Sequence, residues 1–368
     1  MFFARESGGV KRYLLTKHAW MTLNGLRHTL LVPGDKDRNE STGTLTVASP
    51  AIPFGNGYRI PLGMARWRYR LESLAPDLIE VGDPYQLAWA ALKTGRVRDV
   101  PVVGFYHSDL IRFIGTRLGG WSASGAERYA ANLYRRFDLV LAPSRTMVER
   151  LHALGIERVA LQPLGVDTAL FHPGRRDPGL RCSLGLGDET RLIIFAGRFA
   201  REKNIPILLD ALQRLGPDYH LLLVGSGGRL QLPTNVTHIP YVRSEDRLAR
   251  LMASCDAFVH AGDQETFGLV ALEAMACGVP VVGIAAAGIG ELVDTTVGML
   301  APSCHPRLLA QAVIELFERN LGILGWHCRE RVENHFSWNR VLPALMEHYH
   351  SLTGITAPAL DVPLHAAG

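Results

Sequence analysis

Two glutamates, Glu265 and Glu273, stand with seven residues between them in the stretch AGDQETFGLVALEAMACG, residues 261–278. The apolar run CDAFVHA before them predicts a buried strand, and LVALEAMACG predicts a helix that ends at a glycine. Glu265 therefore belongs to the strand-to-helix loop and Glu273 to the helix. Free N–H groups at a helix N-terminus bind phosphate, and a carboxylate beside them accepts hydrogen bonds from sugar hydroxyls. The pair suggests a site for a sugar joined to a phosphate; the alternative is two solvated surface glutamates.

Two cations, Arg198 and Lys203, lie in the stretch FAGRFAREKN, directly after an apolar run that predicts another buried strand. Two positive charges at the carboxyl end of a strand can clamp a diphosphate and compensate its charge when it becomes a leaving group. The alternative is a surface loop whose charges cap the next helix.

Glycines follow two further predicted strands. In LVGSGG, Gly225 opens a turn at which the backbone can approach a ligand closely. The dinucleotide pattern G-x-G-x-x-G is incomplete, because Leu230 stands at the third glycine position, so hydride transfer is disfavoured. The segment GIGE, residues 288–291, is either a second close approach to a ligand or a tight turn.

A histidine, His107, follows the apolar run VPVVGFY and precedes Ser108 and Asp109. Polar residues just beyond the carboxyl end of a buried strand lie where open α/β sheets bind ligands. A lone histidine is as often structural, so both interpretations stay open at this point.

The elements that must position these residues alternate as strands and helices, in two runs joined by an irregular connector near residues 165–180. Continuous apolar strands that alternate with helices indicate parallel sheets covered on both faces. We therefore predict an α/β protein with two doubly wound, Rossmann-like domains facing each other across a cleft. Their expected ranges are 1–168 and 169–350, and the Pro/Ala-rich end, 353–368, is expected to be a flexible tail.

The start of the first domain is unusual. Before the turn Gly8-Gly9, where an α/β domain normally has its first strand, only MFFA is left to form that strand. Either that strand is very short or, as we expect, the printed start lies downstream of the true one. In that case an unpaired core position is expected in the first domain.

The composition is that of a globular enzyme, with 47% hydrophobic and 20% charged residues, but the charge is uneven. Residues 1–170 hold 22 Lys and Arg against 15 Asp and Glu, whereas the whole chain has a net charge of +4. A basic first half suits a phosphate, an anionic lipid surface or an acidic glycan. Its densest part, ARWRYR at 65–70, favours a helix or strand with a solvated basic edge; contact with an anionic membrane is the alternative. No module for reading nucleic acid accompanies it.

Five cysteines are scattered, odd in number and without paired spacing. This indicates free thiols in a reducing cytosol and no zinc site. No signal peptide is recognisable, and no apolar run is long enough to span a bilayer. We expect a cytoplasmic protein, with peripheral association at the inner face of the membrane as a further expectation.

The motifs AGR-F-x-x-E-K-N, L-V-G-x-G, E-T-F-G-L-V-x-L-E-A-M-A-C-G-V-P-V-V and the early G-G-V resemble, in order and spacing, family 4 of the retaining glycosyltransferases. The resemblance covers nearly the whole chain, and the ETFGLVALEAMACGVPVV block is its most specific part. It implies the GT-B fold, in which the last helix, here at about 336–352, crosses back onto the first domain.

The resemblance also implies roles for individual residues. Catalytic roles fall to residues at the sugar or its diphosphate: Glu265, His107, Arg198 and Lys203. Donor-binding roles fall to residues that approach the phosphates, the ribose or the base. These are Gly9, Arg198, Lys203, Gly225, Tyr241, Val242, Phe267, Gly268, Leu269 and Glu273. Among them Glu273 is expected to hold the ribose hydroxyls.

The implied reaction transfers a hexose from a nucleotide-diphosphate sugar to a hydroxyl of a lipid or glycan, with retention and without a bound metal or cofactor. The segment FYHSDL resembles the F/Y-H-T-D segment of mannosyltransferases, which favours GDP-mannose as the donor. The alternatives are a UDP-sugar transferase of the same family, an epimerase or phosphorylase of the same fold, or a non-catalytic nucleotide-binding protein.

Overall fold

The structure is a computed structural model of the 368-residue chain. It describes residues 8–39, 43–52, 58–107, 109, 111, 120–228 and 230–355. The chain divides into two compact units: unit 1 comprises Met1–Pro163 with Val341–Gly368, and unit 2 comprises Leu164–Arg340. The division falls after Pro163, whereas the sequence predicted it after residue 168. MFFA and most of the expected tail lie outside the described residues.

Unit 1 contains seven described strands in two sheets. They are β1 (Leu30–Gly34), β2 (Arg38–Asn39), β3 (Thr44–Ala48), β4 (Ile79–Val81), β5 (Val102–Phe105), β6 (Leu139–Ala142) and β7 (Val159–Leu161). The sheet orders are β1-β3-β2 and β4-β5-β6-β7. All neighbouring pairs except β2–β3 are parallel, with Leu30 opposite Thr44 and Ile79 opposite Val102. The pair β2–β3 is antiparallel, which corrects the expectation of purely parallel sheets.

Unit 2 has one sheet, and its described strands are all parallel. They are β8 (Arg191–Ala196), β9 (Tyr219–Val224), β10 (Val236–Ile239), β11 (Ala257–Val259), β12 (Val281–Ile284) and β13 (Gly298–Ala301). The order is β10-β9-β8-β11-β12-β13. Strands β9 and β10 thus follow β8 toward one edge of the sheet. The chain then crosses back, and β11, β12 and β13 follow on the other side of β8. The point at which strand order reverses, between β8 and β11, is where open α/β sheets bind ligands.

Helices follow most strands. In unit 1 they are α1 (Gly9–Leu23), α2 (Met64–Leu74), α3 (Gln86–Arg98), α4 (Gly120–Tyr134) and α5 (Arg145–Ala153). In unit 2 they are α6 (Leu180–Ser183), α7 (Ile205–Leu215), α8 (Glu245–Ala253), α9 (Leu269–Ala276), α10 (Ala287–Leu292), α11 (Pro306–Phe317) and α12 (Leu321–His335). The last helix, α13 (Trp338–Thr353), begins in unit 2 and belongs to unit 1 from Val341 onward.

The cores explain why these segments fold as they do. All six residues of β9 are buried, as expected for a strand covered on both faces. Helix α7 buries Ile205, Leu208, Leu209 and Leu212, a stripe at helical spacing that packs on the sheet. Burial of such apolar stripes is the main stabilising term in both units.

Helix α13 is tied to unit 1 by a buried polar cluster. Lys17 Nζ lies 2.5 Å from Glu80 Oε1, and the hydroxyls of Tyr13 and Tyr349 donate to the same carboxylate. Burial by itself would raise the pKa of Glu80, but Lys17, the Tyr349 hydroxyl and His107 together lower it. The carboxylate is therefore held in its charged form, and α1, β4 and α13 are joined through it.

An open region borders two sheet edges of unit 1. Among the described residues, β1 and β4 each end a sheet, and a cavity of about 560 Å³ is lined by both strands and by α1, α2 and α13. The sequence predicted an unpaired core position in this domain, and the MFFA segment proposed for it lies outside the described residues. Among those residues no helix has the length and apolarity to cross a bilayer.

Candidate active site

The loops that follow β8 and β11 bring three polar side chains together at the reversal point of the unit 2 sheet. Lys203 Nζ contacts Glu265 Oε1, and His260 Nε2 lies 3.3 Å from the same oxygen. Two of these residues were predicted from the sequence. His260 was missed, although it stands directly after a buried strand, much as His107 stands two residues beyond β5.

Backbone contacts between the two loops hold this arrangement. Lys203 ends a 3₁₀ turn, Arg201–Lys203, and Asn204 follows in a left-handed conformation with φ of 51°. The Asn204 side chain donates to Ala261 O at 3.1 Å. A Cβ at Gly262 would come within 2.7 Å of Glu202 O, so the glycine permits the close approach. The loop after β8 is thus fastened to the loop that carries Glu265.

Burial sets the charge of two members of the cluster. It lowers the pKa of Lys203 to about 8; Glu202 opposes this decrease and Arg198 adds to it. Burial also lowers the pKa of His260 to about 3, with Lys203 adding to the effect. His260 is therefore neutral at neutral pH, while Lys203 carries its charge beside the Glu265 carboxylate.

Arg198 lies at the rim of the same cluster. Its guanidinium is 58% exposed and 3.9 Å from Glu202 Oε1, a loose surface pair of small energy. Because Arg198 depresses the pKa of Lys203, the two cations are close enough to repel each other. A bound anion would relieve that repulsion, which is the arrangement expected for a diphosphate clamp.

The N-terminus of α9 opens three residues after Glu265. Its N-cap, Gly268, has φ of 99°, and no side chain caps the helix or places an acid in its first turn. Ala271 N–H and Leu272 N–H both donate to Gly268 O, so the helical pattern begins there. Phe267 and Leu269 flank this N-cap, and backbone N–H groups at such a helix start are a seat that suits a phosphate.

The GIGE segment, residues 288–291, packs against the loop that carries Glu265. Gly288 N–H donates to Glu265 O at 2.8 Å, and a Cβ at Gly288 would overlap the Phe267 backbone. The segment lies in α10, a short helix packed against the loop. The tight turn that the sequence offered as one of two interpretations is therefore not found here. Its glycine is required by packing.

Three further residues predicted to bind the donor, Gly225, Tyr241 and Val242, lie in the turns that follow β9 and β10. A Cβ at Gly225 would overlap Gly197 O, so the turns after β9 and β8 touch through their backbones. Ser226 Oγ accepts from the N–H of Tyr241, which follows β10 and is 39% exposed. Val242 beside it is half-buried. These turns form one continuous rim next to Arg198.

Glu273 is 1% exposed on α9, which excludes a solvated surface glutamate at this position. Acidic side chains are almost never fully buried unless they are paired, so Glu273 remains a candidate functional residue.

His107 and Gly9 belong to unit 1. His107 follows β5, is 8% exposed and stacks on Phe105 with 4.0 Å between ring centroids. Burial lowers its pKa to about 3, Glu80 opposes that decrease, and Lys17 adds to it. Gly9 is the first residue of α1. Ser108, which the sequence grouped with His107, lies outside the described residues.

The basic segment ARWRYR lies in α2, and its arginines pair within unit 1. Arg66 and Arg70 both donate to Asp37 Oδ2, and Arg68 donates to Glu72 at 2.9 Å. Trp67, which stands among these arginines in the sequence, is buried. The favoured interpretation of an amphipathic helix with a basic edge agrees with these contacts. Elsewhere, the described residues hold no group of three His, Cys, Asp or Glu that could bind a metal ion.

Comparison with known proteins gives a consistent result. Residues 7–170 match the family model "Glycosyltransferase Family 4", and residues 180–334 match "Glycosyl transferases group 1". The chain is 30% identical to a GDP-mannose-dependent alpha-(1-6)-phosphatidylinositol dimannoside mannosyltransferase of Mycobacterium tuberculosis. That alignment covers 94% of this chain and 93% of the relative.

This chain belongs to glycosyltransferase family 4. A second relative from M. tuberculosis, a GDP-mannose-dependent alpha-mannosyltransferase, is 32% identical over 88% of the chain and 86% of its own length. The family 4 glycosyltransferase described here has the GT-B fold. A sucrose-phosphate synthase from Thermosynechococcus elongatus superposes with a TM-score of 0.80 at 22% identity, covering 95% of both chains. Anabaena HepE, solved with UDP-glucose, gives 0.75 at 23% identity over 95% of this chain and 98% of its own. The enzyme transfers a sugar from a nucleotide sugar.

Proposed function

We propose that this enzyme transfers mannose from GDP-mannose to a hydroxyl of a lipid or glycan acceptor, with retention of configuration and without a metal ion. The observation that carries the proposal is the meeting of Lys203 and Glu265 at the reversal point of the unit 2 sheet, beside the α9 N-terminus. GDP-mannose is favoured because both M. tuberculosis relatives are named for dependence on it.

The departing diphosphate is stabilised by protein charge in this scheme. Arg198 and Lys203 contribute two cations, and the α9 N-terminus contributes oriented N–H groups and its positive dipole end. These groups act most strongly on the charge that develops as the glycosidic bond breaks. The two cations take the part that a divalent metal ion plays in other transferases.

Glu265 is assigned to the donor sugar because it follows β11 and stands three residues before Gly268, the N-cap of the helix proposed to bind the phosphate. Its carboxylate accepts hydrogen bonds from sugar hydroxyls and orients the ring. For retention, the acceptor hydroxyl attacks from the face on which the diphosphate departs. Glu273 binds the ribose hydroxyls, and the turns at Gly225 and Tyr241-Val242 approach the nucleotide.

Gly9 and His107 complete the set of proposed residues from unit 1. Gly9 permits a close approach of the opening loop to a phosphate, because a glycine places no side chain there. His107, next to Asp109 at the end of β5, is proposed to lie near the transferred sugar. Both roles rest on the family motif.

A lipid acceptor is supported by the surface around α2. Ile60, Leu62 and Met64 are 39%, 51% and 40% exposed, and Tyr69 is 68% exposed beside the arginines. Exposed apolar side chains next to basic ones favour an anionic lipid surface. Sedimentation with phosphatidylglycerol vesicles, compared with phosphatidylcholine vesicles, tests this. Equal binding to both, or to neither, contradicts an anionic-membrane role.

The donor is tested first by ligand-dependent stability. A ligand that binds only the folded state raises Tm by mass action. At a hundredfold excess over Kd it adds about 2.7 kcal/mol to the free energy of unfolding. We expect GDP to raise Tm more than UDP at equal concentration. GDP-[¹⁴C]mannose should then label lipid or mannoside acceptors.

The second candidate, a UDP-sugar transferase, is favoured by the likeness to HepE solved with UDP-glucose. A larger shift with UDP, and transfer from UDP-glucose, would establish it. Stabilisation by neither nucleotide, with neither transfer nor donor hydrolysis, would exclude the transferase proposal and favour a phosphorylase or epimerase.

The diphosphate clamp is tested by Arg198→Ala and Lys203→Ala. Because each cation acts on developing charge, we expect kcat to fall about 10²- to 10³-fold, as when one transition-state donor is removed. The matched control is Arg201→Ala, an exposed arginine in the same turn, which should retain kcat. An increase of KM with unchanged kcat would contradict the role assigned to these cations.

A further inference from the structure

We infer that His260 is a positioning residue, whose imidazole N–H holds the Glu265 carboxylate in the orientation needed at the donor sugar. The inference rests on the role proposed above for Glu265. It adds a residue that lies outside the motifs recognised in the sequence. This role requires a proton on the ring nitrogen that faces Glu265, a ring held firmly in place, and a carboxylate that needs a second partner.

The neighbours of the ring decide its tautomer. Gly262 N–H donates to His260 Nδ1 at 3.1 Å, and a backbone amide can only donate, so Nδ1 is the acceptor. The proton of the neutral ring therefore resides on Nε2. That nitrogen lies 3.3 Å from Glu265 Oε1, and an ionised carboxylate can only accept. Nδ1 thus accepts from the Gly262 amide, and Nε2 faces an oxygen within reach of its proton.

The ring is fixed in place by packing. His260 is 3% exposed and stacks with Phe195 and Phe258, at 5.8 and 6.3 Å between ring centroids. A Cβ at position 262 would come within 2.6 Å of the ring, so Gly262 lets the chain turn tightly around it. Burial, which lowers the pKa of His260 to about 3, keeps the ring neutral and preserves the tautomer through neutral pH.

The Glu265 carboxylate needs a second partner, because its first partner, Lys203, is proposed to bind the diphosphate of the substrate. In the structure Glu265 Oε1 contacts both Lys203 and His260. When Lys203 binds the diphosphate, its contact with Glu265 weakens, and His260 still holds the oxygen. A neutral hydrogen-bond donor such as His260 suits this role, because it adds no positive charge that would compete with Lys203 for the diphosphate.

Three substitutions separate positioning from mere packing. In His260→Gln the side-chain amide N–H reaches about where Nε2 was and still donates to Glu265. In His260→Asn the amide reaches only the Nδ1 level, and His260→Phe keeps the ring without either nitrogen. We expect kcat to fall about 10- to 100-fold in the Asn and Phe variants, as for loss of a hydrogen bond to a charged group. We expect His260→Gln to recover most of it, with Tm shifts by GDP unchanged in all three.

A double-mutant cycle with Glu265→Gln completes the test. If His260 acts through Glu265, His260→Asn should cause little further loss once Glu265 is altered. Equal kcat values for His260→Gln and His260→Asn would overturn the inference. It would also be overturned if the losses of kcat from His260→Asn and Glu265→Gln were fully additive. Full activity of Glu265→Gln itself would instead overturn the proposed function, so the two failures are distinguishable.

One measurement requires no substitution. ¹⁵N chemical shifts of histidine in the wild-type protein report the tautomer of each ring directly. We expect the His260 signal of a neutral ring protonated on Nε2 between pH 6 and 8. A ring protonated on Nδ1, or titrating in that range, would overturn the inference even if every variant failed to fold.

Discussion

At the scale of single residues, the site depends on a lysine whose charge is only narrowly maintained. Burial lowers the pKa of Lys203 to about 8, although the Glu265 carboxylate is in contact with it. Removing the ammonium from water disfavours its charged form, and the nearby Arg198 adds to this effect. The free enzyme therefore loses its second diphosphate cation just above neutral pH.

This gives a prediction for the pH dependence of activity. Because kcat/KM reports groups of the free enzyme, we expect it to decrease above about pH 8 as Lys203 loses its proton. In Lys203→Arg the guanidinium stays charged, so its kcat/KM should remain flat to about pH 9.5, whatever its absolute value. Initial rates from pH 6 to 10 provide the measurement. An alkaline decrease at the same pH in both proteins would assign the titration to another group.

At the scale of elements, the strand-to-helix connection at α9 combines backbone geometry with ligand binding. Gly268 has φ of 99°, a backbone conformation that residues with a side chain rarely adopt. A Cβ at this position would also lie 2.7 Å from Ile289 Cδ1. The glycine thus aims the first N–H groups of α9 and lets α10 pack beneath them. Loop and helix act as one unit through Gly288 N–H and Glu265 O.

Gly268→Ala tests this coupling. A left-handed conformation costs a residue with a side chain about 1–2 kcal/mol, so Tm should fall by several degrees. Because the N–H groups shift as the strain is relieved, GDP should stabilise the variant less than the wild type. Gly187→Ala is the matched control, since a Cβ added at that residue would meet nothing within 4 Å and its φ is not positive. A loss of Tm with an unchanged GDP shift would show that the glycine serves stability alone.

At the scale of the whole molecule, each unit contains a buried histidine that is neutral when folded. The pKa of His107 in unit 1 and that of His260 in unit 2 are both lowered to about 3 by burial. An unfolded histidine has a pKa of about 6.5, so the unfolded chain binds the proton first. The stability that these residues contribute is complete above about pH 6.5 and is lost as the pH falls toward 3.

Below about pH 6 we therefore expect each such histidine to cost its unit about 1.4 kcal/mol of stability per pH unit. In unit 1 His28, whose pKa burial also lowers to about 3, adds to the effect of His107. Calorimetry at several pH values follows this, because two units need not unfold in one transition. His107→Phe should reduce the pH dependence of the unit 1 transition, and His260→Phe that of unit 2. His335→Phe, an exposed position on α12, should leave both slopes unchanged. Unaltered slopes in the two buried variants would show that other groups control the acid sensitivity.

Several parts of this molecule were predictable because their signals are contiguous. The ETFGLVALEAMACG block contains strand end, loop and helix in one stretch, so α9 and the place of Glu265 followed from it. Helices α3 and α12 and strands β10 and β13 were missed. In α12 the buried residues Leu324, Cys328 and Val332 repeat every four residues, but Gly322 and Gly325 obscure the pattern. Gly325 is needed because a Cβ there would overlap Gly278 O.

The amino-acid sequence by itself determined the alternation of strands and helices and the chemical types at each strand end, since both depend on near neighbours in the chain. Only the tertiary structure decided that Lys203 and Glu265 meet, because this requires β8 and β11 to lie side by side in the sheet. It also decided the importance of His260. The proton position on that ring depends on the Gly262 amide, and its function on an oxygen brought to it by folding.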